Sequence, residues 1–272
     1  MKNEVRIAVA GVGNCASALL QGIDYYSRNS EKPIGLMREV IGSYSIRSIR
    51  PVAAFDVDRR KVGRSINQAV FAKPNCTTVF EPSVNSQEVM VQMGPLLDGV
   101  ADHMISYPED KAFRVAEAEA VDVAKVLKET AADVLVSYLP VGSERAVRAY
   151  AEACLEAGVA MVNCVPVFIA SDPEYAARFS DRGIPIVGDD IKSQFGATIL
   201  HRTLARMMGD RGIRIDRTYQ LNTGGNTDFL NMLERTRLRS KKESKTESVQ
   251  AELDVRLPDD QIHIGPSDYV PW

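Results

Sequence analysis

Hydrophobic and polar positions along the chain keep two rhythms, and their alternation sets the expected fold. Val5 to Ala10 is a short apolar run, interrupted by Arg6, as expected for a largely buried strand. It runs straight into G-V-G-N-C-A, Gly11 to Ala16, and then into S-A-L-L-Q-G-I, which has helical composition. Pro51 to Phe55 predicts a second strand, Val134 to Tyr138 a third, Val159 to Cys164 a fourth and Ile184 to Val187 a short fifth. Asp110 to Thr130 and Ser143 to Glu156 read as helices, as does the stretch from near Thr198 to Met208. This alternation predicts an α/β fold, a doubly wound parallel (Rossmann-type) sheet with ligands at the carboxyl ends of its strands.

The glycine turn is the first piece of candidate chemistry. Gly11 supplies the tight turn, Gly13 lets the amides of Asn14 and Cys15 reach a pyrophosphate, and Ala16 allows close packing of helix on strand. The helix N-terminus favours the phosphate charge. Asp56, at the end of the second strand, is placed to accept from an adenosine ribose, which favours NAD. Arg59 and Arg60 keep the 2′-phosphorylated cofactor open as a second choice. A strand-end cap is the plainer reading of Asp56. The usual glycine-to-acid distance is about 20 residues. Here it is longer, so Asp24 to Ser48 is expected to be an insertion or a lengthened crossover. The strand exits Leu139 to Ser143, with Pro140, and Asn163 to Pro166 either border the cofactor or are simple turns.

Two later motifs carry more unusual residues. G-D-D-I-K-S-Q-F-G-A-T, Gly188 to Thr198, places two carboxylates and a lysine before a Ser/Gly/Thr turn that enters a helix. Ser193, Gly196, Ala197 and Thr198 could cradle a phosphate there, or Ser193 or Asp190 could simply cap a turn or helix. In N-T-G-G-N-T-D-F, Asn222, Asn226 and Asp228 can orient hydroxyls, and Gly224 and Gly225 let backbone approach a ligand. From Glu234 to Lys245 there are six basic residues against two acidic ones. If that run is helical, Lys241 and Lys245 project from one face about a turn apart. A solvated helix face is the ordinary reading of such a run. The adjoining turn favours a site for a polyhydroxylated anion.

Composition narrows the classes. The 272 residues are 45% hydrophobic and 25% charged with net charge −3, which suits a globular domain or two and gives no reason to expect nucleic-acid binding. No apolar run reaches the roughly 18 residues of a membrane span. The N-terminus lacks a signal-peptide pattern, so a cytoplasmic location is the default. Four cysteines without C-x-x-C spacing and three scattered histidines leave acid–base work to lysines and carboxylates.

Together, G-V-G-N-C-A-S-A-L, G-D-D-I-K-S-Q-F-G-A-T, N-T-G-G-N-T-D-F and S-K-K-E-S-K-T resemble the inositol-phosphate synthase (myo-inositol-1-phosphate synthase) family, in its bacterial and archaeal branch. The resemblance extends over nearly the whole chain. It implies conversion of glucose 6-phosphate to inositol 1-phosphate with recycled NAD, and so an isomerase of inositol and phospholipid biosynthesis. It also implies catalytic roles for Lys241, Lys245 and Asp190, with Asp190 on the nicotinamide side. The phosphate turn falls on Ser193 to Thr198, and the substrate-side amides on Asn222, Asn226 and Asp228. A homotetramer is implied, as is a divalent metal near the substrate phosphate, with Asp190 the candidate ligand by position. The expected division is an NAD-binding domain at 1–210 and a smaller α+β catalytic and oligomerisation domain at 211–272. The family continues past the equivalent of Trp272 with two further lysines, so that domain is read as truncated here. A dehydrogenase of a phosphorylated polyol and a catalytically silent NAD-binding protein are the rival readings. Net NADH accumulation marks the first, and NAD binding with no sugar-phosphate turnover the second.

Overall fold

The computed structural model describes residues 4–28, 34–85 and 88–270. Its centre is β1 (Val5–Ala10), paired in parallel with β4 (Ile49–Asp56) on one side and β6 (Val134–Ser137) on the other. Outside these lie β5 (Val91–Met93) beyond β4, and β7 (Ala160–Asn163) then β8 (Ile186–Val187) beyond β6. The order β5-β4-β1-β6-β7-β8, all parallel, is that of a doubly wound dinucleotide fold, and its direction reverses between β1 and β6. Ligands bind at such a switch point.

Side chains of β1 alternate between two cores. Ile7 and Val9, with Ala54, pack under α1 (Asn14–Arg28) and the short α2 (Ile66–Ala69). Ala8 and Ala10, with Ala53, Phe55 and Leu135, pack under α3 (Val123–Glu129), α4 (Glu144–Ala157) and α5 (Pro173–Asp181). The alanines bring the helices close to the sheet, as small residues must where backbones approach. Pro51 sits inside β4 although it has no N–H to give. The register slips there, Ile7 facing Pro51 and Ala8 facing Ala53, so the lost bond falls at a bulge.

One expectation changes and one holds. Only Val123–Glu129 of the expected Asp110–Thr130 helix is helical. The Ala/Glu-rich stretch before it runs along the sheet margin instead. Ala116 N–H donates to Val57 O (2.9 Å) and Val121 N–H to Met93 O (2.9 Å), and the helix starts only where Asp122 caps Lys125 N–H (3.0 Å). Tertiary hydrogen bonds override local helix preference. The expected insertion is present: α1 runs on to Arg28, and β2 (Val40–Ile41) and β3 (Tyr44–Ser45) form a small hairpin before the 3₁₀ turn Ile46–Ser48. Residues 29–33 of that stretch lie outside the described residues.

The last part of the chain is a small α+β unit. β9 (Thr218–Gly224) and β10 (Ile262–Tyr269) pair in parallel. One face is covered by α6 (Ala197–Asp210) and α8 (Arg239–Gln250) through Ala205, Val249, Leu257, Ile262 and Ile264. On the other face Tyr219 and Leu221 are exposed. The buried contacts of α6 therefore lie with the elements that follow position 210. Between β9 and α8, α7 (Thr227–Asn231) and the 3₁₀ turn Arg235–Leu238 dock on the exit of β6. Asn231 Nδ2 and Arg237 Nε both donate to Val141 O, at 2.8 and 3.1 Å. Gly142, at φ +82°, has no room for a Cβ, which would stand 2.4 Å from that of Arg237.

Candidate active site at the sheet's switch point

Gly11 and Gly13 serve different ends. Gly11 adopts φ +87°, and a Cβ there would meet Tyr138 O at 2.7 Å, so glycine is required for β1 to pass the exit of β6. At Gly13 a Cβ would find nothing within 4 Å. The space over Gly13 is open cleft, as an approaching ligand needs. Ala16 is fully buried against the sheet, the packing role expected of it. Asn14 Oδ1 accepts from Cys76 N–H (2.7 Å) and Thr77 N–H (3.2 Å), tying the start of α1 to a neighbouring loop.

Asp56 is the cap its plainer reading described. Its Oδ1 accepts from Val57 N–H (2.7 Å) and Asp58 N–H (2.8 Å), and its Oδ2 from Val12 N–H (2.7 Å). It still lines a narrow, apolar cavity of about 50 Å³ with Gly11, Gly13, Pro140 and Tyr150. Arg60 is engaged by the buried Asp58 and the carbonyls of Glu109 and Ala112, and Arg59 by Glu109. Both guanidiniums that left a 2′-phosphate open are thus held by protein partners.

On the other side of Gly13 a cleft of about 280 Å³ gathers many of the expected residues: Asn14, Cys15, Pro140, Asp190, Asn226, Asp228 and Lys241. Asp190 stands at φ +65°, a conformation costly for a residue with a side chain and a pointer to function. Its Oδ2 accepts from Lys192 Nζ (2.6 Å) and Ser244 Oγ (2.8 Å), while Lys192 also donates to Ser244 Oγ (2.9 Å). Lys241 Nζ pairs with Asp228 Oδ2 at 2.8 Å. Lys245, one turn further along α8, is half-buried and has no hydrogen-bond or ion-pair partner among the described residues. Burial first, and the Lys241 charge second, lower its pKa to about 8 against the pull of Asp190 and Asp228. Repulsion between lysines is therefore the lesser cause.

The thiols in the cleft are held neutral. Protein atoms crowded around Cys15, and Asp228 after them, push its thiol up. Burial pushes Cys164 up to about 12.

Other expected residues stand apart. Asn222 lies in β9, where its Nδ2 donates to Gly265 O (3.1 Å) and its Oδ1 accepts from Gln220 (3.1 Å); it does not line the cleft. Gly224 makes room for the Phe229 ring, 2.4 Å from where a Cβ would be, and so serves packing. Gly225 lines an adjoining cavity with Lys73 and Thr77. Asn226 caps α7 by accepting from Phe229 N–H (3.1 Å). Ser193, Gly196, Ala197 and Thr198 follow Ile191 on the rim, outside the cleft lining, with Gly196 at the N-cap of α6. Gln194 ties this turn to Gly35 O (2.6 Å). Lys192 and Ser244 carried no assignment from sequence. The two-residue offset from Asp190, and a serine beside Lys245, are the signals they left.

The fit to the implied groups differs. A dinucleotide fits the open space at Gly13, which lies between the narrow cavity and the wider cleft. No ready-made protein cage for a divalent metal is seen among the described residues. Among the described residues no group of three or more His, Cys, Asp or Glu side chains converges, and Asp190 Oδ2 is already taken by Lys192 and Ser244. No described helix is long and apolar enough to cross a membrane.

Residues 196–272 match the family model for Myo-inositol-1-phosphate synthase. The chain is 54% identical to an inositol-3-phosphate synthase of Mycolicibacterium smegmatis, covering 99% of this chain and 74% of that protein. It is 53% identical to one of Corynebacterium glutamicum, covering 98% and 74%. Among solved structures, Ari2 superposes with TM-score 0.74 at 33% identity, over 98% of this chain and 72% of Ari2. A myo-inositol-1-phosphate synthase-related protein of Thermotoga maritima superposes with TM-score 0.73 at 23% identity, over 98% and 74%, a likeness of fold. With identity above one half along almost its entire length, the chain belongs to the inositol-3-phosphate synthase family.

Proposed function

We propose that the chain converts D-glucose 6-phosphate to 1D-myo-inositol phosphate, with NAD recycled. The observation that carries this reading is the charge arrangement beside the cleft. Lys192 pairs with Asp190 and Lys241 with Asp228, whereas Lys245 has no partner among the described residues and a pKa lowered to about 8, so it can change protonation near neutrality.

Gly13, Asp56 and Asp190 would hold NAD, which would supply hydride transfer away from carbon 5 of the open-chain sugar and back to it after ring closure, the carbon 5 hydroxyl proton leaving and returning with the hydride. The resulting ketone acidifies the proton on carbon 6. Neutral Lys245 takes that proton, and the enolate oxygen gains charge beside Lys241 and the new ammonium of Lys245. The enolate carbon then closes on the carbon 1 aldehyde. Lys245 returns its proton to the alkoxide formed there, so the step neither consumes nor releases protons. Asn226 and Asp228, which line the cleft, are the proposed groups that orient the sugar hydroxyls. The amides at Gly196 to Thr198, with the Ser193 and Thr198 hydroxyls, follow Ile191 at the edge of the cleft and are the proposed phosphate donors. Assembly into a homotetramer and a cytoplasmic location are part of the same reading. No step is assigned to a metal.

Lys245→Met tests the assignment. Turnover should fall by about a thousandfold or more, while NAD affinity stays within about twofold. Unchanged turnover overturns the role of Lys245. Net NADH accumulation in the unmodified protein would favour a polyol dehydrogenase instead.

A further inference from the structure

Lys61 is 1% exposed, yet it lines the same narrow cavity as Gly11, Gly13 and Asp56. Its ammonium donates to Val12 O (2.7 Å) and Asn75 Oδ1 (2.9 Å) and lies 3.8 Å from Asp56 Oδ2. Asn75 Nδ2 also reaches Val12 O (3.1 Å) and anchors on Val70 O (2.9 Å). The peptide groups flanking Val12, between the two glycines, are thus gripped on both sides. Asp56 holds the N–H, while Lys61 and Asn75 hold the carbonyl.

Burying an ammonium is costly, and a methionine would fill the same volume. The charge therefore answers a need, and the neighbourhood shows what it is. Gly11 N–H is taken by Phe55 O and Val12 N–H by Asp56, so the amides from Gly13 onward are those left for a diphosphate. A bare Asp56 carboxylate beneath that position would repel a diphosphate. We infer that Lys61 is a positioning residue for the dinucleotide. It fixes the Val12 carbonyl so that Gly13 faces the cleft, and it cancels the Asp56 charge under the diphosphate.

The inference rests on NAD being the cofactor, and the test separates the two. Binding of ADP-ribose is measured by titration calorimetry, and of adenosine by ligand-observed NMR, on the whole chain. Lys61→Met should weaken ADP-ribose about ten- to hundredfold and leave adenosine within about twofold. Asn75→Ser should show the same selectivity at smaller amplitude, and it decides the matter alone if Lys61→Met does not fold. Equal losses for both ligands, or no loss for either, overturn the inference. Failure of the unmodified chain to bind ADP-ribose overturns it together with the NAD reading. Loss of sugar-phosphate turnover with ADP-ribose binding intact removes only the synthase reading.

Discussion

Lys245 differs from Lys192 and Lys241 in having no carboxylate of its own. That difference gives a pH prediction. With its pKa lowered from the ordinary 10.5 to about 8, Lys245 is mostly protonated at pH 7 and neutral above the shifted value. As a base it should give a rate that rises about tenfold per pH unit up to about 8 and then levels. The unfolded chain binds more protons than the folded one between about 8 and 10.5, so this group's share of stability also grows as pH rises through that window. A kcat/KM profile flat from pH 6 to 9 would contradict the role. The sequence displayed Lys241 and Lys245 plainly, because four-residue spacing on a helix is a local property. It did not display the pairs that set Lys245 apart. Asp190 and Ser244 meet only when the β8 exit and α8 come together, and neither residue type announces its partner.

At the scale of elements, β1, its glycine turn and α1 are where sequence and structure agree most closely. A buried strand, a turn and an amphipathic helix are each encoded within a few residues. The two glycines give a sharp contrast. Gly11→Ala should cost about 2–4 kcal/mol of stability, because its φ is positive and the added methyl meets the Tyr138 carbonyl. Gly13→Ala should leave the thermal midpoint nearly unchanged and weaken ADP-ribose binding, since its methyl projects into open cleft. Equal destabilisation by both, read by thermal unfolding, would refute the division of labour. Asp110 to Thr130 shows the opposite case. Its Ala/Glu composition is helical by propensity, yet its first half spends backbone donors on Val57 and Met93 of the sheet margin. β5, only three residues long, offered no periodicity to detect.

Across the whole molecule, the doubly wound sheet places Gly13 at the switch point, and the α+β unit brings Asp228 and Lys241 into the cleft there, with Lys245 one turn further along α8, outside its lining. The joint is made by Asn231 and Arg237 on Val141 O, with Gly142 shaped to receive Arg237. Part of the basic run that reads as a solvated face is therefore a docking surface, a role set by tertiary contact and invisible in the spacing of charges. The expected phosphate turn and Asn222 stay off the cleft, since their motif spacing fixes local shape and leaves distance to the other elements open. The chain spans 74% of the length of its Mycolicibacterium and Corynebacterium relatives, so turnover by these 272 residues is the direct question. A phosphorus NMR time course with glucose 6-phosphate and sub-stoichiometric NAD answers it. The account predicts inositol phosphate in excess of the NAD supplied, with no oxidised sugar phosphate accumulating. Glucose 6-phosphate left unchanged, or oxidised only to the extent of the NAD present, would contradict it.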